Sequence, residues 1–183
     1  MNDPVCLALP GRTLLLVAGM PGAGKSTLLA GLLPRDGMVV LDSDAHRAAL
    51  HGLLPGVPYA AYRPLVHLWH RLAVLVAAFS AAPTVVVHLP ATDPGTRAAV
   101  ARLAALTGRS AHLLWLQVEA TEARRGQQER GRVVPEASFV AHAERAARLP
   151  RADEGWAALT VLDRRAARAG LLLETGAPAP VGL

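Results

Sequence analysis

Lys25, the only lysine among the 19 basic residues of the chain, lies in a segment with the spacing of a phosphate-binding loop. Residues 19–27 read Gly-Met-Pro-Gly-Ala-Gly-Lys-Ser-Thr and satisfy the pattern G-x-x-x-x-G-K-[ST]. A compact ammonium can contact two phosphates at once, whereas a planar guanidinium would push the phosphate chain away. Glycines let backbone N–H groups turn toward an anion, and the Ser26 hydroxyl is placed to bind Mg²⁺. The predicted nucleotide-binding residues of this loop are Gly22, Ala23, Gly24, Lys25, Ser26 and Thr27.

A second group of polar residues follows the next predicted strand. Asp44 and Arg47 are three residues apart at the start of a predicted helix, so they share one face. A carboxylate there would lie across the cleft from the loop and could take the proton of an acceptor hydroxyl as general base. Arg47 could bind an anionic group of the acceptor. Alternatively, Asp42 or Asp44 caps the helix and Arg47 is a surface ion-pair partner; Asp42 could also help to hold Mg²⁺ through water.

The third predicted strand ends at His88, the first polar residue after three valines. His88 is either a substrate contact or a buried histidine with a satisfied hydrogen bond. The nearest acidic residue, Asp93, precedes Pro94, a pair typical of a helix N-cap and first helical residue.

An arginine-rich segment, residues 124–132, follows the fourth predicted strand and contains two glycines. Four arginines this close together repel one another unless phosphates relieve the repulsion. We therefore expect a mobile lid whose arginines neutralise charge on a γ-phosphate during transfer. The alternative is a solvated basic turn.

A long helical pattern over Tyr59–Ala81 has a basic row and an apolar side. The basic row is Arg63, His67, His70 and Arg71; the apolar side is Leu65, Leu68, Leu72, Leu75, Val76 and Phe79. The apolar run 72–79 is expected to be part of a buried helix, since it is too short to span a membrane. The basic row either leads a nucleic-acid strand into the cleft or is a solvated face. The histidine spacing does not fit zinc, so no structural metal is predicted.

Strands and helices alternate along the chain, which predicts a three-layer α/β/α fold with a five-stranded, mainly parallel sheet. The strands are expected at Thr13–Ala18, Met38–Leu41, Thr84–His88, Ala111–Gln117 and Leu159–Leu162; the last could instead belong to one amphipathic helix over 156–169. Helices are expected at Lys25–Leu33, Asp44–Leu53, Tyr59–Ala81, Pro94–Leu106, Thr121–Arg130 and Glu136–Arg148. The cleft of such a sheet lies at the carboxyl ends of its strands, where the candidate residues follow.

Length and composition fit one domain over residues 1–173, followed by a flexible tail over 174–183 that is rich in Pro, Gly and Ala. The net charge of +5 and the pI near 10.6 permit a polyanionic partner without requiring one. The single cysteine, Cys6, excludes an internal disulfide framework. With no apolar run of membrane-spanning length and no secretory signal, we expect a cytoplasmic protein.

Three segments together resemble the P-loop kinases typified by polynucleotide 5′-hydroxyl kinases, a group that includes zeta-toxin-like and chloramphenicol-phosphotransferase-like enzymes. The segments are residues 19–27, 44–47 (Asp-Ala-His-Arg) and 130–136. The resemblance implies a P-loop NTPase fold with an arginine-rich lid. These kinases usually have an acidic residue after the third strand, where this chain has His88 and Leu89.

The resemblance also implies a role for each matching residue. Lys25 and Ser26 would hold ATP and Mg²⁺, and Asp44 would activate the acceptor hydroxyl. Arg47 would bind the acceptor's phosphate, and Arg130 would clamp the ATP phosphates from the lid.

The sequence therefore predicts an ATP-dependent transfer of the γ-phosphate to a hydroxyl, with the 5′-hydroxyl of a polynucleotide as the favoured acceptor. The first alternative is a small-molecule kinase for a natural product, an antibiotic or a sugar derivative. The second is a nucleotide-binding ATPase or regulator without an acceptor. The predicted catalytic residues are Lys25, Asp44 and Arg130, and the predicted substrate contacts are Asp44, Arg47 and His88.

Overall fold

A computed structural model describes residues 4–32, 37–131 and 133–175. In chain order the strands are β1 (Val5–Leu9), β2 (Thr13–Gly19), β3 (Met38–Asp42), β4 (Thr84–His88), β5 (Ser110–Leu116), β6 (Ala158–Leu162) and β7 (Leu171–Thr175). Five of them form one parallel sheet in the order β3-β4-β2-β5-β6. This sheet confirms the predicted fold class and all five predicted strands.

The central position of β2 follows from its sequence. Every residue of Thr13–Gly19 is buried, as expected for a strand with a parallel neighbour on each side and helices on both faces. The alternative of one helix over residues 156–169 is wrong, because Ala158–Leu162 pairs with β5. A separate short helix begins only at Arg164, after the capping side chain of Asp163.

The helices are α1 (Lys25–Ala30), α2 (Ser43–Leu53), α3 (Tyr59–Phe79), α4 (Pro94–Leu106), α5 (Ala120–Glu129), α6 (Glu136–Ala146) and α7 (Arg164–Ala169). The six predicted helices are present, and α7 was not predicted. The helix expected over Lys25–Leu33 is shorter, because Gly31 caps it after Ala30; Leu33 itself lies outside the described residues. Asp93 caps α4 by accepting a hydrogen bond of 2.8 Å from the Thr96 amide, which confirms its predicted role.

A second, two-stranded parallel sheet joins β1 and β7 and was not predicted. It includes Glu174 and Thr175, so the expected tail over 174–183 is wrong at its first two residues; residues 176–183 lie outside the described residues. Leu9, Leu171 and Leu173 are buried and extend the main hydrophobic core into this sheet.

The orientation of α3 differs from the prediction. Its buried face is formed by Tyr62, Val66, His70, Val74, Ala77 and Ala78. The large apolar side chains of residues 72–79 that were expected in the core, Leu72, Leu75, Val76 and Phe79, are exposed. Small alanines on the buried face let the helix approach the sheet closely, which leaves the larger side chains outside. In the described part of the chain, no helix is both long and apolar enough to cross a membrane.

Two buried arginines fix the loops around the sheet. Arg97 donates from two nitrogens to the Glu154 carboxylate, each at 2.7 Å, and from a third to the carbonyls of Ala91 and Thr92 after β4. Arg109 donates to backbone carbonyls at and after the end of α3, including those of Ala78 and Ser80. These guanidinium groups satisfy buried carbonyls that no strand or helix pairs.

Candidate functional site

The loop between β2 and α1 has the backbone shape of a phosphate site. Gly24 has φ 106°, a left-handed conformation that favours glycine. The Lys25 side chain is only 5% exposed, and its Nζ donates to the Gly19 carbonyl at 2.9 Å and to the Met20 carbonyl at 2.8 Å. The ammonium is therefore held against the loop that the sequence motif identified.

The surroundings of Lys25 change its acidity. Burial, and to a smaller extent the positive charge of Arg130, lower the pKa of Lys25 to about 7, although the negative charge of Asp42 acts in the opposite direction. Near neutral pH, the amine is thus divided between its charged and neutral forms. An anionic ligand on the loop would restore the full charge, because a neighbouring negative group raises the pKa of an amine.

Helix α5 supports the loop from one side through two glycines and a glutamine. A β-carbon on Gly22 would overlap the Ala123 carbonyl, and one on Gly126 would overlap the Gly22 carbonyl. Gln127 donates from Nε2 to the Pro21 carbonyl and accepts at Oε1 from the Val134 amide, both at 2.9 Å. The buried glutamine therefore ties the loop to the segment after α5. Sequence reasoning missed Gln127, since it stands among arginines that drew attention to charge.

The arginine-rich segment is partly neutralised by glutamates. Arg124 makes two hydrogen bonds of 2.6 Å to Glu136, and Arg125 pairs with Glu129 at 3.1 Å. The expectation that these arginines repel one another without phosphate is wrong for Arg124 and Arg125, because acidic partners relieve their charge. Arg132 lies outside the described residues.

Among the described arginines of this segment, Arg130 reaches the loop. Its Nη1 lies 3.5 Å from Ser26 Oγ, and its charge acts on Lys25. Beside it is a cavity of about 240 Å³, lined by the loop, α1, α5 and α7; the lining side chains that carry positive charge are Arg130, Arg164 and Arg168. A larger cavity of about 610 Å³ shares Glu129, Arg164 and Arg168 with it. In the smaller cavity three arginines outnumber the one glutamate, so its charge suits an anionic ligand.

The carboxyl ends of β3 and β4 bring Asp42 and His88 together. The two residues are neighbours in the strand register, and His88 Nδ1 lies 2.9 Å from Asp42 Oδ1. The same oxygen accepts a hydrogen bond of 3.0 Å from the Asp44 amide, so Asp42 is the N-cap of α2. Burial by itself would raise the pKa of Asp42, but hydrogen bonds and charge from His88 and the Asp44 amide lower it below its usual value. The carboxylate at this edge therefore comes from β3 and not from β4.

His70 of α3 extends this pair into the protein. Its buried ring packs against the ring of His46 with centroids 5.4 Å apart, and His46 Nδ1 lies 3.2 Å from the Asp42 carbonyl. Burial and the neighbouring His46 lower the pKa of His70 to about 4, so the ring is neutral at pH 7. The sequence placed His70 in an exposed basic row. Its four-residue spacing from the buried Val66 and Val74 was the signal that would have identified it.

The other predicted acceptor residues lie on α2. Asp44 is half-buried in the first turn. The Arg47 guanidinium stacks over the Tyr59 ring, 4.2 Å from its centroid. The predicted acidic residue and arginine are thus both at the carboxyl edge of the sheet, and the arginine is held by an aromatic ring.

Helix α6 adds a histidine that sequence reasoning missed. His142 Nδ1 lies 2.7 Å from Thr92 Oγ1, in the loop after β4. Burial lowers its pKa, as do the charges of Arg145, Lys25 and Arg63. His142 is therefore within electrostatic reach of both the loop lysine and Arg63 of α3. Nothing in the local sequence around His142 indicated this position.

The residues present fit a bound Mg²⁺. Within the described residues, no group of three or more His, Cys, Asp and Glu side chains could hold a metal ion. A P-loop magnesium instead takes one hydroxyl, with phosphates and water as its other ligands. The Ser26 hydroxyl would be that protein ligand, and the Asp42 carboxylate, whose charge acts on Lys25, would hold the ion through water.

A family model described as AAA domain matches residues 14–151, which is most of the chain and includes the loop, Asp42 and His88. The chain belongs to this AAA domain family. Among curated proteins, none matches the sequence.

Three solved structures illustrate how widely this fold is shared. A protein of the PezAT toxin–antitoxin system of Streptococcus pneumoniae is 14% identical, with TM-score 0.60, over 90% of this chain and 69% of that one. A protein from Chloroflexus aurantiacus, provisionally described as a kinase, is 15% identical, with TM-score 0.62, over 83% and 88%. The tunicamycin resistance protein of Deinococcus radiodurans is 19% identical, with TM-score 0.51, over 81% and 86%. These likenesses confirm the fold, and the narrower polynucleotide-kinase resemblance stays a prediction.

Proposed function

We propose that the protein is a kinase that transfers the γ-phosphate of ATP to a hydroxyl group. The observation that carries this proposal is the position of two acidic residues, Asp42 and Asp44, at the strand end across from a buried P-loop lysine. A P-loop alone fits any nucleotide hydrolase. Carboxylates at the next strand end give the site a base for an acceptor hydroxyl as well.

On the donor side, the loop amides and Lys25 hold the ATP phosphates, and Arg130 neutralises the charge that develops on them. The 240 Å³ cavity beside Thr27 and Arg164 is the space for the ribose and base. Ser26 and Asp42 would hold Mg²⁺, which supplies further charge neutralisation when it is bound. Gln127 and Gly126 keep the loop in place during transfer.

On the acceptor side, Asp44 accepts the proton of the attacking hydroxyl. The hydroxyl oxygen forms a bond to the γ-phosphorus, and the bond from that phosphorus to the β–γ bridging oxygen breaks, so ADP leaves with the electron pair. Asp42 fixes the first turn of α2 through the Asp44 amide and is itself held by His88. This chain of contacts positions Asp44.

The favoured acceptor is the 5′-hydroxyl of a polynucleotide. Arg63 and His67 are exposed on α3, with Arg63 Nε donating to His67 Nε2 at 3.2 Å. The charges of Arg63 and Lys25 both act on His142, so the basic row and the loop lysine are within electrostatic reach of one histidine. A net charge of +5 also favours a polyanion.

A small-molecule acceptor is the second candidate, and the state of Arg47 favours it. The guanidinium predicted to bind the acceptor's phosphate is stacked on Tyr59. An acceptor without a phosphate would leave that stack intact.

The decisive experiment follows transfer of a labelled γ-phosphate to 5′-hydroxyl oligonucleotides and, in parallel, to a panel of small hydroxyl compounds. A polynucleotide acceptor should bind with an affinity that falls steeply as salt rises, whereas a small neutral acceptor should show little salt dependence. Label released only as inorganic phosphate, with every acceptor, would contradict the kinase proposal and favour an ATPase.

Asp44→Asn tests the base within that assay. We expect transfer to fall by about 10² to 10⁴-fold with ATP affinity retained, because the carboxylate acts on the acceptor proton and not on ATP. Asp153→Asn is the matched control, since Asp153 pairs with Arg151 on the surface. Transfer at the normal rate in Asp44→Asn would show that another group accepts the proton.

A further inference from the structure

The outward face of α3 carries a continuous stripe of large apolar side chains. Its members, called the α3 stripe below, are each 40% to 72% exposed: Leu65, Leu68, Trp69, Leu72, Leu75, Val76 and Phe79. The opposite face is already used, since Tyr62 and Val66 pack on α2 and Val74 joins the main core. The helix therefore has two apolar faces, one packed inside the protein and one exposed, with the basic row of Arg63, His67 and Arg71 between them.

The α3 stripe is large enough to form a stable interface. Its seven side chains expose on the order of 800 Å², which is close to the ~800 Å² that each partner contributes to a specific interface. Scattered exposed apolar residues are normal, but a contiguous patch of this size marks a contact surface. From residue 65 to residue 79 the stripe runs about 21 Å along the helix axis.

The spacing of the stripe is symmetric about its centre. Leu65, Leu72 and Phe79 are seven residues apart, the repeat of a helix-packing seam. The pairs Leu68/Trp69 and Leu75/Val76 lie at equal distances on either side of Leu72. The pattern of apolar positions is therefore the same when it is read in either direction. A two-fold interface needs such a surface, because one patch must complement its own copy.

We infer that α3 pairs in antiparallel orientation with α3 of a second copy of this chain, with the two-fold axis at Leu72. In this arrangement Leu72 meets its own copy, and Leu65 meets Phe79 of the other copy. Leu68 packs against Val76 of the other copy, and Trp69 against Leu75, across the same seam. The pairing does not depend on the proposed kinase function, because it uses the face of α3 opposite His70.

Charge distinguishes a second copy from an oppositely charged partner in one measurable way. Helix α3 contains no acidic residue, and the exposed Arg71 is next to Leu72. The two-fold axis therefore brings two Arg71 side chains near each other. Salt screens like-charge repulsion, so the dimer should tighten as salt rises. An acidic partner protein or an anionic membrane would instead bind more weakly in high salt.

The first test is the mass of the full chain in solution, by sedimentation equilibrium at 50 and 500 mM NaCl. We expect a dimer at micromolar concentration that tightens at the higher salt. Leu72→Glu should raise the dissociation constant at least 100-fold, whereas Leu106→Glu, on an exposed leucine of α4, should leave it unchanged. A wild-type chain that stays monomeric, or equal dissociation constants for the two variants, would overturn the inference. Binding of the monomer to vesicles of anionic phospholipid would overturn it as well.

The second test reads the orientation by cross-linking in a Cys6→Ser background, since Cys6 is the only cysteine. Leu72→Cys should form a disulfide-linked dimer on mild oxidation, because the two-fold axis places its β-carbons together. Leu65→Cys and Phe79→Cys should cross-link when mixed and not when oxidised separately. Efficient self-cross-linking of Leu65→Cys alone would indicate parallel helices and refute the antiparallel pair. Circular dichroism checks that each variant is folded.

Discussion

The phosphate loop and the proposed acceptor side of the same cleft are built in opposite ways. The loop is nine consecutive residues, 19–27, whose backbone and one lysine make the site. The acceptor side takes Asp42 from β3, His88 from β4 and His70 from α3. A local pattern therefore defines the donor half, whereas packing of distant elements defines the acceptor half. Changes in the two halves should separate ATP binding from acceptor chemistry.

The largest expected effect breaks the donor half. Lys25→Met removes the buried ammonium and should weaken ATP binding by about 100-fold or more, since hydrogen bonds to charged groups contribute about 1.5 to 3 kcal/mol each. Calorimetric titration with ATP and Mg²⁺ measures this loss. Wild type titrated above pH 7 should also take up a proton on binding, because its Lys25 has a pKa of about 7 and phosphate raises it.

Two results would count against this assignment of Lys25. One is ATP affinity within a few-fold of wild type in Lys25→Met. The other is that wild type and Lys25→Met take up the same number of protons on binding ATP, as measured by calorimetry in buffers of different ionisation enthalpy. Arg12→Met is the control, because Arg12 is a basic residue whose Nη2 donates to the Ser80 carbonyl, at the end of α3.

A smaller effect should come from the support behind the loop. Gly126→Ala places a β-carbon against the Gly22 carbonyl, and a backbone group cannot give way cheaply. We expect unfolding free energy to fall by about 1 to 3 kcal/mol, as for other overpacked sites, with weaker ATP binding. Gly52→Ala is the matched control: this α2 glycine has open space around it, so alanine should stabilise the helix by about 0.5 to 1 kcal/mol. Denaturant melts that show Gly126→Ala as stable as Gly52→Ala would contradict the packing argument.

The strand, loop and helix of the donor half could be predicted from the sequence because the information is local. The glycine spacing, the lysine and the strand before them each depend on neighbours along the chain. The same holds for Asp93, which caps α4 as expected. Gln127 escaped notice because its two backbone partners, at Pro21 and Val134, come from different parts of the chain.

The acceptor half was harder to predict because burial in α3 does not follow side-chain size. The larger leucines suggested the core, yet alanines and His70 occupy it. Residue volume favours burial only where the opposite surface leaves room, and that room is set by the whole sheet. In the same way, the partner of His88 is a register neighbour that only strand pairing reveals.

The smallest expected effect sharpens the acceptor half through pH. His70 has a pKa of about 4 in the folded protein, below its ordinary value of 6.5, because it is buried and lies near His46. Between these values the unfolded chain binds more protons, so stability that is present above pH 6.5 is lost as pH falls toward 4. His70→Gln removes this group. Between pH 6.5 and pH 4 the unfolding free energy of the variant should therefore fall by about 1 to 2 kcal/mol less than that of wild type. Urea melts of both proteins from pH 7.5 to 4.5 measure the difference. The lowered pKa values of His67, His112 and His142 contribute equally to the pH dependence of both proteins. If plots of unfolding free energy against pH were parallel for wild type and His70→Gln, His70 would not be the buried neutral group of the acceptor side.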